Sequence, residues 1–546
     1  MTLLLAACAG SGQLGLAEPA DSAVESVPGI HPDGDPTDVV FDTERISSIE
    51  LDMAPEDWLS VRDDPWSKAW VPAVFRWNGE EVADVAVRAF GYGSIRVGKP
   101  SLKVSFDRIV ERQLWRELDE LKLDNSSQDP GYLNECIATA IVRRAGLPAA
   151  RTGWAEVSVN GDAAGFFVVL ESIDDRFVER WFGHDDGALY GTRDHQYGHG
   201  LNPTDDPLVY YEAQTSKGGD GTDLAHFIEL VSEGSDDDLA AAVDLEGFFG
   251  VSVARSMMGS MDAFSADGNN FYLYNDHDRL RLVPWDFDVD LGGYYLSTAL
   301  TVDPRAPWAT SPWSADSVTG APYMDPVLLR SLAMGYDPDP LVEELLAGPF
   351  DWASVDAEAA AAAVLIRDAV GRDVLGDLST FDQRAADLRL FVHSRLAGLA
   401  GGEVADCPET DLLQAADLVD SGTVGWGSLL VDSTNWGPGF NVNGVHTCTG
   451  VFAHAPSTVS LTIPESGQIS GAVGLQDWNQ RCGDGATFSI VQADEVLWQS
   501  STLQTYDPSE AFDVEVSAGS LTLQAGAGGD YSCDTTVWLD LALQPG

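Results

Sequence analysis

Lysine is nearly absent from this chain: Lys68, Lys99, Lys103, Lys122 and Lys217 are the only five in 546 residues. Lysine and arginine together number 30 against 87 aspartates and glutamates, a formal net charge of −57. A surface this acidic repels DNA, RNA and anionic headgroups, so no nucleic-acid partner is expected. It suits basic proteins, metal cations or neutral sugars. No run of about 18 apolar residues occurs, so no helix is expected to cross a membrane. Past residue 400 the single basic side chain is Arg481, and that shift in composition marks a domain boundary. Cysteine is scarce as well. The six cysteines include no Cys-x-x-Cys pair, which argues against a cysteine-bound zinc. Cys136 lies in a helical pattern and is expected as a buried free thiol. Cys407, Cys448, Cys482 and Cys533 cluster near the C-terminus, where two disulfides are expected with three pairings open.

Apolar residues are 44% of the chain and charged ones 21%, an ordinary globular balance that excludes wholesale disorder. Near the start, Leu5-Ala6-Ala7-Cys8 resembles the lipobox of bacterial lipoproteins, with Cys8 as the lipid-bearing residue. The apolar run before it is short and lacks Lys or Arg, so the natural start is expected further upstream. A small-residue, Gly/Ser/Asp-rich stretch follows and reads as a tether. Export and anchoring at the bacterial cell envelope or surface are expected from the two together.

Alternation predicts strands at Ile46–Met53, Val71–Trp77, Val82–Ala89 and Ser101–Phe106. Phe90-Gly-Tyr-Gly-Ser94 is a glycine turn, and Lys103 falls in mid-strand. Apolar residues at three-to-four spacing predict a helix from Gly131 to Ala145, closed by Gly146-Leu-Pro148. Asn160-Gly161 joins two further strands as a hairpin, and Ile173–Phe182 reads as a short helix. Helical signals return over 224–260 and 341–398. Residues 411–546 switch to short alternating strands between Gly, Asn and Asp, a β-sandwich pattern. His195 and His199 stand four apart among Gly, Asn and Pro and are read as loop.

The chemistry-bearing residues concentrate between 261 and 293. Asp262 lies in a loop, Asn270 opens an apolar strand eight residues later, and a second strand ends in Trp285-Asp286-Phe287-Asp288. Asp286 and Asp288 are hard oxygen ligands suited to Mg²⁺ or Mn²⁺. The glycine and acid placement of an EF-hand is not met. Phosphoryl transfer needs a cation on the phosphates, a bridging metal and an acid residue to orient the acceptor hydroxyl.

Strand, Gly turn, strand, Lys-bearing strand, helix, strand, hairpin, strand and short helix resemble a protein-kinase N-lobe running into its hinge. The closer resemblance, over about residues 45–400, is to the CotH-type spore-coat kinase family, with an atypical kinase-like fold. It rests on Arg88-Ala-Phe-Gly-Tyr-Gly-Ser94, Lys99-Pro-Ser-Leu-Lys103, Asn134-Glu135, Arg144-Ala-Gly-Leu-Pro148, Val159-Asn-Gly161 and Gly165 to Asp174. It continues through Asn269-Asn-Phe-Tyr-Leu-Tyr274 and Val283-Pro-Trp-Asp-Phe-Asp288.

The resemblance implies ATP, Mg²⁺ or Mn²⁺, and transfer to Ser or Thr of a protein substrate. It places Asp262 as catalytic acid residue, Lys103 as phosphate-binding lysine with Lys99 as the alternative, and Glu135 as the lysine's partner. Gly91, Gly93 and Ser94 would cover the nucleotide, and Glu171 would meet the adenine. Asp286, Asn270 and Asp288 would hold the metal. The Phe90-Gly-Tyr92 turn departs from the family's usual Arg-Gly-Asn-Ser form.

Residues 411–546 resemble the novel putative carbohydrate-binding module, a galactose-binding-like sandwich. The resemblance rests on Gly425-Trp-Gly427, Ala453-His-Ala-Pro-Ser457, Leu497-Trp-Gln-Ser500 and Trp538-Leu-Asp540. Cys533-Asp534-Thr535 stands where typical members have an acid–histidine pair. Trp498 and Trp538 are expected in the core, and Trp436 and Trp478 as sugar-facing.

The expected class is α+β: a bilobal kinase-like domain, then an all-β sandwich. The expected divisions are 1–8 signal remnant, 9–36 tether, 37–400 kinase-like domain with lobes parting near 175, 401–410 linker and 411–546 sandwich. The expected function is an exported, lipid-anchored atypical kinase with a glycan-binding module. The alternatives are a non-catalytic envelope protein on a kinase-like scaffold and, less favoured by any motif, a carbohydrate-active enzyme.

Overall fold

A computed structural model describes residues 35–399, apart from 194–198, 216, 218–219, 294–322, 324 and 397–398. It also describes 412–546, apart from 427, 435–436, 439, 444, 448, 477–483, 506 and 530–533. Cys8, His195, Trp436, Trp478 and the four C-terminal cysteines lie outside the described residues, as do the lipobox, the tether and the disulfides expected there. Cys136 is a buried free thiol.

The first seven strands close a barrel: β1 (Ile46–Asp52), β2 (Val71–Trp77), β3 (Glu80–Phe90), β4 (Ser101–Ser105), β5 (Glu120–Asp124), β6 (Thr152–Val159) and β7 (Asp162–Glu171). Its order is β1-β2-β3-β4-β5-β7-β6. Every pairing is antiparallel except the closing one, where β1 runs parallel to β6. Alternation is why β2 forms: Val71, Ala73, Phe75 and Trp77 are buried, and Pro72 points out. Inside the barrel, Phe75, Phe106 and Trp115 pack ring to ring at 4.9–5.4 Å. Asn160 and Gly161, both at positive φ, make the β6–β7 turn that hairpins favour.

Helix α1 (Pro55–Asp63) follows β1, and α2 (Asn134–Arg144) lies between β5 and β6. Nine consecutive residues of α2, Asn134 to Val142, are buried. A helix buried on all sides, its polar Asn134, Glu135 and Thr139 included, must be packed on all sides. Its core partners include Phe249, Val253 and Met257 of α6 (Leu245–Met257), and Ile366 and Phe391 of the later helices. Between barrel and α6 come α3 (Asp175–Phe182), α4 (Thr222–Glu233) and α5 (Asp236–Ala242). A four-stranded sheet orders as β11-β10-β8-β9 from β8 (Leu189–Thr192), β9 (Tyr211–Ala213), β10 (Phe271–Asp276) and β11 (Arg279–Pro284). Helices over 326–333, 338–346, 352–370 and 378–391 complete this part.

Among the described residues of the C-terminal region, the regular elements are strands apart from one turn of helix at 415–418. One sheet centres on strand 536–545, flanked by 467–475 and 450–452; the other centres on 457–463 and 519–527. Val459, Phe488 and Leu523 from one sheet share a core with Ile469, Phe512 and Trp538 from the other. Trp538 is fully buried, as expected of a core residue, whereas Trp498 is only half-buried and packs against the edge of that core, 5.4 Å from Phe512. Trp426 is the half-exposed tryptophan of the described surface here, its ring 5.8 Å from His454.

Candidate functional site

A cavity of about 450 Å³ opens between the barrel and the helical part. The barrel contributes cations. Lys103 on β4 and Lys122 on β5 are direct cross-strand neighbours, and Arg88 on β3 is the neighbour of Lys103 on its other side. Lys68 and the turn Gly91, Gly93 and Ser94 line the same wall. Three of the chain's five lysines therefore face one cavity, in a molecule of net charge −57. The opposite wall carries Asp262, Asn269, Asn270, Asp286 and Asp288.

Local chain geometry explains that wall. Asn270 and Asp286 both sit at φ +56, a left-handed conformation that Asn and Asp tolerate better than most residues. The Trp285 N–H donates to the Asn270 carbonyl at 2.9 Å, so the two residues lie side by side at the sheet's end. Asn270 Nδ2 donates to the Asp262 carbonyl at 3.1 Å, which leaves the amide's oxygen as its end for a cation. Asn269 Nδ2 donates to Asp262 Oδ1 at 2.8 Å and orients that carboxylate. Buried Arg255 ties the two loops together, donating to the carbonyls of Asp262 and Asp286 at 3.0 Å each.

The carboxylates repel one another. Burial, then the charges of Asp262 and Asp124, push Asp286 up to about 6, although Asp288 and Arg255 partly offset them. Burial followed by the Asp286 charge holds Asp288 well above the ordinary carboxylate range. Glu135 is raised in the same way, by burial first and Asp286 second. Its Oε2 accepts from the Phe287 N–H at 2.5 Å, while its buried Oε1 has no partner. An orphaned buried oxygen beside three crowded acids is an all-oxygen donor set, and it fits a hard divalent cation.

That crowding has a pH consequence. An acid with a raised folded pKa keeps, in the folded state, a proton that the unfolded chain has released. Stability from Asp286 is therefore lost as pH rises from about 3.8 to about 6. Melting temperatures of cation-free protein should fall across that window, and Mg²⁺ should flatten the fall. A profile identical with and without Mg²⁺ would count against cation binding here.

Three expectations need correction. Lys99 is not at the cavity. It is 1% exposed, and its Nζ contacts Asp373 Oδ2 at 2.5 Å, the Phe166 carbonyl at 2.6 Å, the Tyr132 hydroxyl at 3.1 Å and the Asn125 carbonyl at 3.2 Å. Gly165, at φ +134, admits this lysine, since a Cβ there would stand 2.8 Å from Lys99 Cε. Glu171 is likewise structural. Burial raises its pKa, but Arg180 and Arg151, at 2.6 and 2.7 Å, outweigh that and hold it at about 2. Lys103 pairs with Glu120 at 2.6 Å, and Glu135 instead receives the Phe287 N–H, so the expected Lys103–Glu135 partnership is not formed.

Asp262, Asn270, Asp286, Asp288, Lys103, Glu135, Gly91, Gly93 and Ser94 are all brought to the cavity. Sequence reasoning missed Lys122, which is buried with its Nζ 4.0 Å from the Trp285 ring centre. Burial lowers its pKa, against the pull of Glu120, Asp174 and Asp286. The alternation Glu-Leu-Lys-Leu-Asp at 120–124 was the available signal. His199 is buried and stacked on Tyr210 at 3.7 Å.

The CotH kinase protein family matches residues 87–399, and the NPCBM/NEW2 domain matches residues 410–544. The chain is 24% identical over 259 residues to Inner spore coat protein H of Bacillus subtilis, covering 44% of this chain and 68% of that protein. It is 29% identical over 123 residues to Alpha-1,3-galactosidase B of Akkermansia muciniphila, covering 21% of this chain and only 15% of the galactosidase. Among solved structures, the CBM51 of Clostridium perfringens GH95 in complex with methyl-galactose is 18% identical. It covers 24% of this chain and 99% of that one, with a TM-score of 0.23. Through residues 87–399 the chain belongs to the CotH kinase family, and an NPCBM/NEW2 carbohydrate-binding-like domain follows.

Proposed function

We propose that the chain is an atypical kinase that binds ATP with Mg²⁺ or Mn²⁺ and phosphorylates Ser or Thr of an envelope or surface protein. The observation that carries this reading is the two-signed cavity: Lys103, Lys122, Arg88 and Lys68 on one wall, Asp262, Asn270, Asp286 and Asp288 on the other. Phosphates need the first set and a divalent cation the second.

Asp286, Asn270 and Asp288 would hold the cation, with the free Glu135 oxygen close behind. A divalent cation held by these residues would supply positive charge to offset that of the phosphates. The lysines bind and orient the β- and γ-phosphates. The Gly91–Ser94 turn covers them; Gly91 is at φ +97, and a Cβ there would meet Ser94 Oγ at 2.6 Å, so the turn needs glycine. Asp262, oriented by Asn269, accepts the proton of the acceptor hydroxyl. The new bond joins that oxygen to the γ-phosphorus, the bond to the β-phosphate oxygen breaks, and ADP leaves.

The C-terminal sandwich would concentrate the enzyme at a surface glycan, and Cys8 would anchor it by lipid after export. A tethered module raises the local concentration of substrate without new contacts at the active site.

The test is incubation of the full chain with γ-labelled ATP, Mg²⁺ or Mn²⁺, and an envelope protein fraction. Label should appear on Ser or Thr and fall by about 100-fold or more in Asp262→Asn, the scale of a lost proton acceptor. Equal labelling by the variant, or none by either protein, would remove the kinase reading.

A further inference from the structure

The geometry points to a second metal site, for a divalent transition ion such as Zn²⁺, built from His184, Asp186 and His277; it is independent of the proposed kinase chemistry. His184 and Asp186 lie in the loop between α3 and β8, and His277 lies in the β10–β11 turn. One ligand atom from each residue can be chosen so that all three lie within 4.8 Å of one another. Bonds of about 2.0–2.2 Å to a central ion put tetrahedral ligand atoms about 3.4 Å apart, so the three have little distance to close. The two imidazole rings already stand with centroids 4.0 Å apart.

The hydrogen bonds around the rings carry the argument further. Asp276 Oδ1 sits 2.8 Å from His184 Nε2 and 3.4 Å from His277 Nδ1. Its other oxygen is held by Arg281 Nε at 2.8 Å, which fixes the carboxylate in place. A neutral imidazole has one donor nitrogen, and a carboxylate only accepts. Protons on the two nitrogens that face Asp276 leave lone pairs on His184 Nδ1 and His277 Nε2. Those are the atoms that face Asp186, at 2.8 Å from Oδ1 and 3.2 Å from Oδ2. The Tyr274 hydroxyl, 3.1 Å from His184 Nδ1, can give its proton instead to the His184 carbonyl at 3.2 Å. Three acceptors thus converge on one point, and a cation there satisfies all three.

Asp276 then has the role that carboxylates take behind metal-bound histidines, fixing tautomer and ring orientation. Neighbouring Asp185 is engaged by Lys217 at 2.5 Å, so Asp186 is the carboxylate turned to the histidines. The two-nitrogen, one-carboxylate set suits zinc better than Mg²⁺ or Ca²⁺, which take oxygen. Side chains of Asp186 and His277 are 65% and 62% exposed, so an ion can enter from solvent. Both line an open cavity of about 1010 Å³ with Asp223 and His226, which leaves room for a further ligand on the metal.

The experiment titrates Zn²⁺ into the full chain by calorimetry, with excess Mg²⁺ present to occupy unspecific carboxylates. Co²⁺ serves as a spectroscopic stand-in. One saturable Zn²⁺ site is expected, together with the visible absorption of tetrahedral Co²⁺. His277→Ala should abolish the site, and Asp276→Asn should weaken it by about 10–100-fold. Asp286→Asn should leave it intact, which separates it from the kinase-like cavity. Asp186→Asn serves as a second ligand variant, and each variant must melt like wild type in chelator. Binding that survives His277→Ala and Asp186→Asn, or that disappears in Asp286→Asn, overturns the assignment. So does a wild-type protein that shows only pH-dependent changes and no Zn²⁺ uptake, since a shared proton would then satisfy the three acceptors.

Discussion

Asp286→Asn should abolish cation-dependent nucleotide binding while the protein folds as before. In wild type, ATP with Mg²⁺ at about 100 times Kd should stabilise the chain by about 2.7 kcal/mol, read as a rise in melting temperature. The variant should show none of that rise. Its fold should persist because the anchoring contact at this position is made by the backbone: Arg255 donates to the Asp286 carbonyl, which the substitution keeps. Asparagine is also the better probe than alanine here, since it tolerates φ +56. Removing the charge relieves the repulsion that Glu135 and Asp288 feel from Asp286, so the cation-free variant should melt no lower than wild type. A nucleotide-induced rise as large as wild type's would show that the cation is held elsewhere. A variant that fails to fold would show that this carboxylate is structural.

The fold was legible where periodicity is local. The strand at 71–77 coincides with its alternation, and the all-β character past 411 follows from short alternating runs between turn residues. Strand β5 was overlooked because five residues with charges at both ends and the centre resemble surface chain. With it went Lys122, whose place on the cavity wall depends on β5 pairing with β4. The acid wall was legible because Asp262, Asn270, Asp286 and Asp288 are close in sequence and belong to one hairpin and the loop that feeds it. What sequence could not decide is which of two nearby lysines turns inward. Lys99 meets Asp373 across 274 residues of chain, and Glu171 meets arginines on either side of it. No short-range pattern records such partners, because burial and pairing are settled by packing between distant segments. The His184–His277 cluster was hidden for the same reason, as 93 residues separate the two rings until β8 and β10 pair.

The two lysines of the Lys99-Pro-Ser-Leu-Lys103 run should therefore fail in opposite ways when replaced by methionine. Lys99→Met leaves Asp373 buried without its cation, and losing one partner of a buried pair costs about 3–5 kcal/mol. Three other donors still reach Asp373, namely the Tyr132 hydroxyl at 2.8 Å and the N–H groups of Phe166 and Leu375 at 3.0 and 2.9 Å. They soften the loss without supplying a positive charge. Burial already lowers the lysine's pKa against the attraction of Asp373, so the pair sits in a site that disfavours any lone charge. Lys103→Met removes a side chain that is 18% exposed and joined to Glu120 at the cavity wall, where water can take over. This pair is only partly buried and borders the open cavity, so its loss should cost less than that of the fully buried Lys99–Asp373 pair. The first variant should shift the denaturation midpoint strongly, and whatever fraction folds should still bind nucleotide. The second should melt near wild type and lose nucleotide affinity. Should Lys99→Met instead keep its stability and lose nucleotide, the inward lysine would be the phosphate ligand, and the cavity between barrel and helices would have been assigned to the wrong cation.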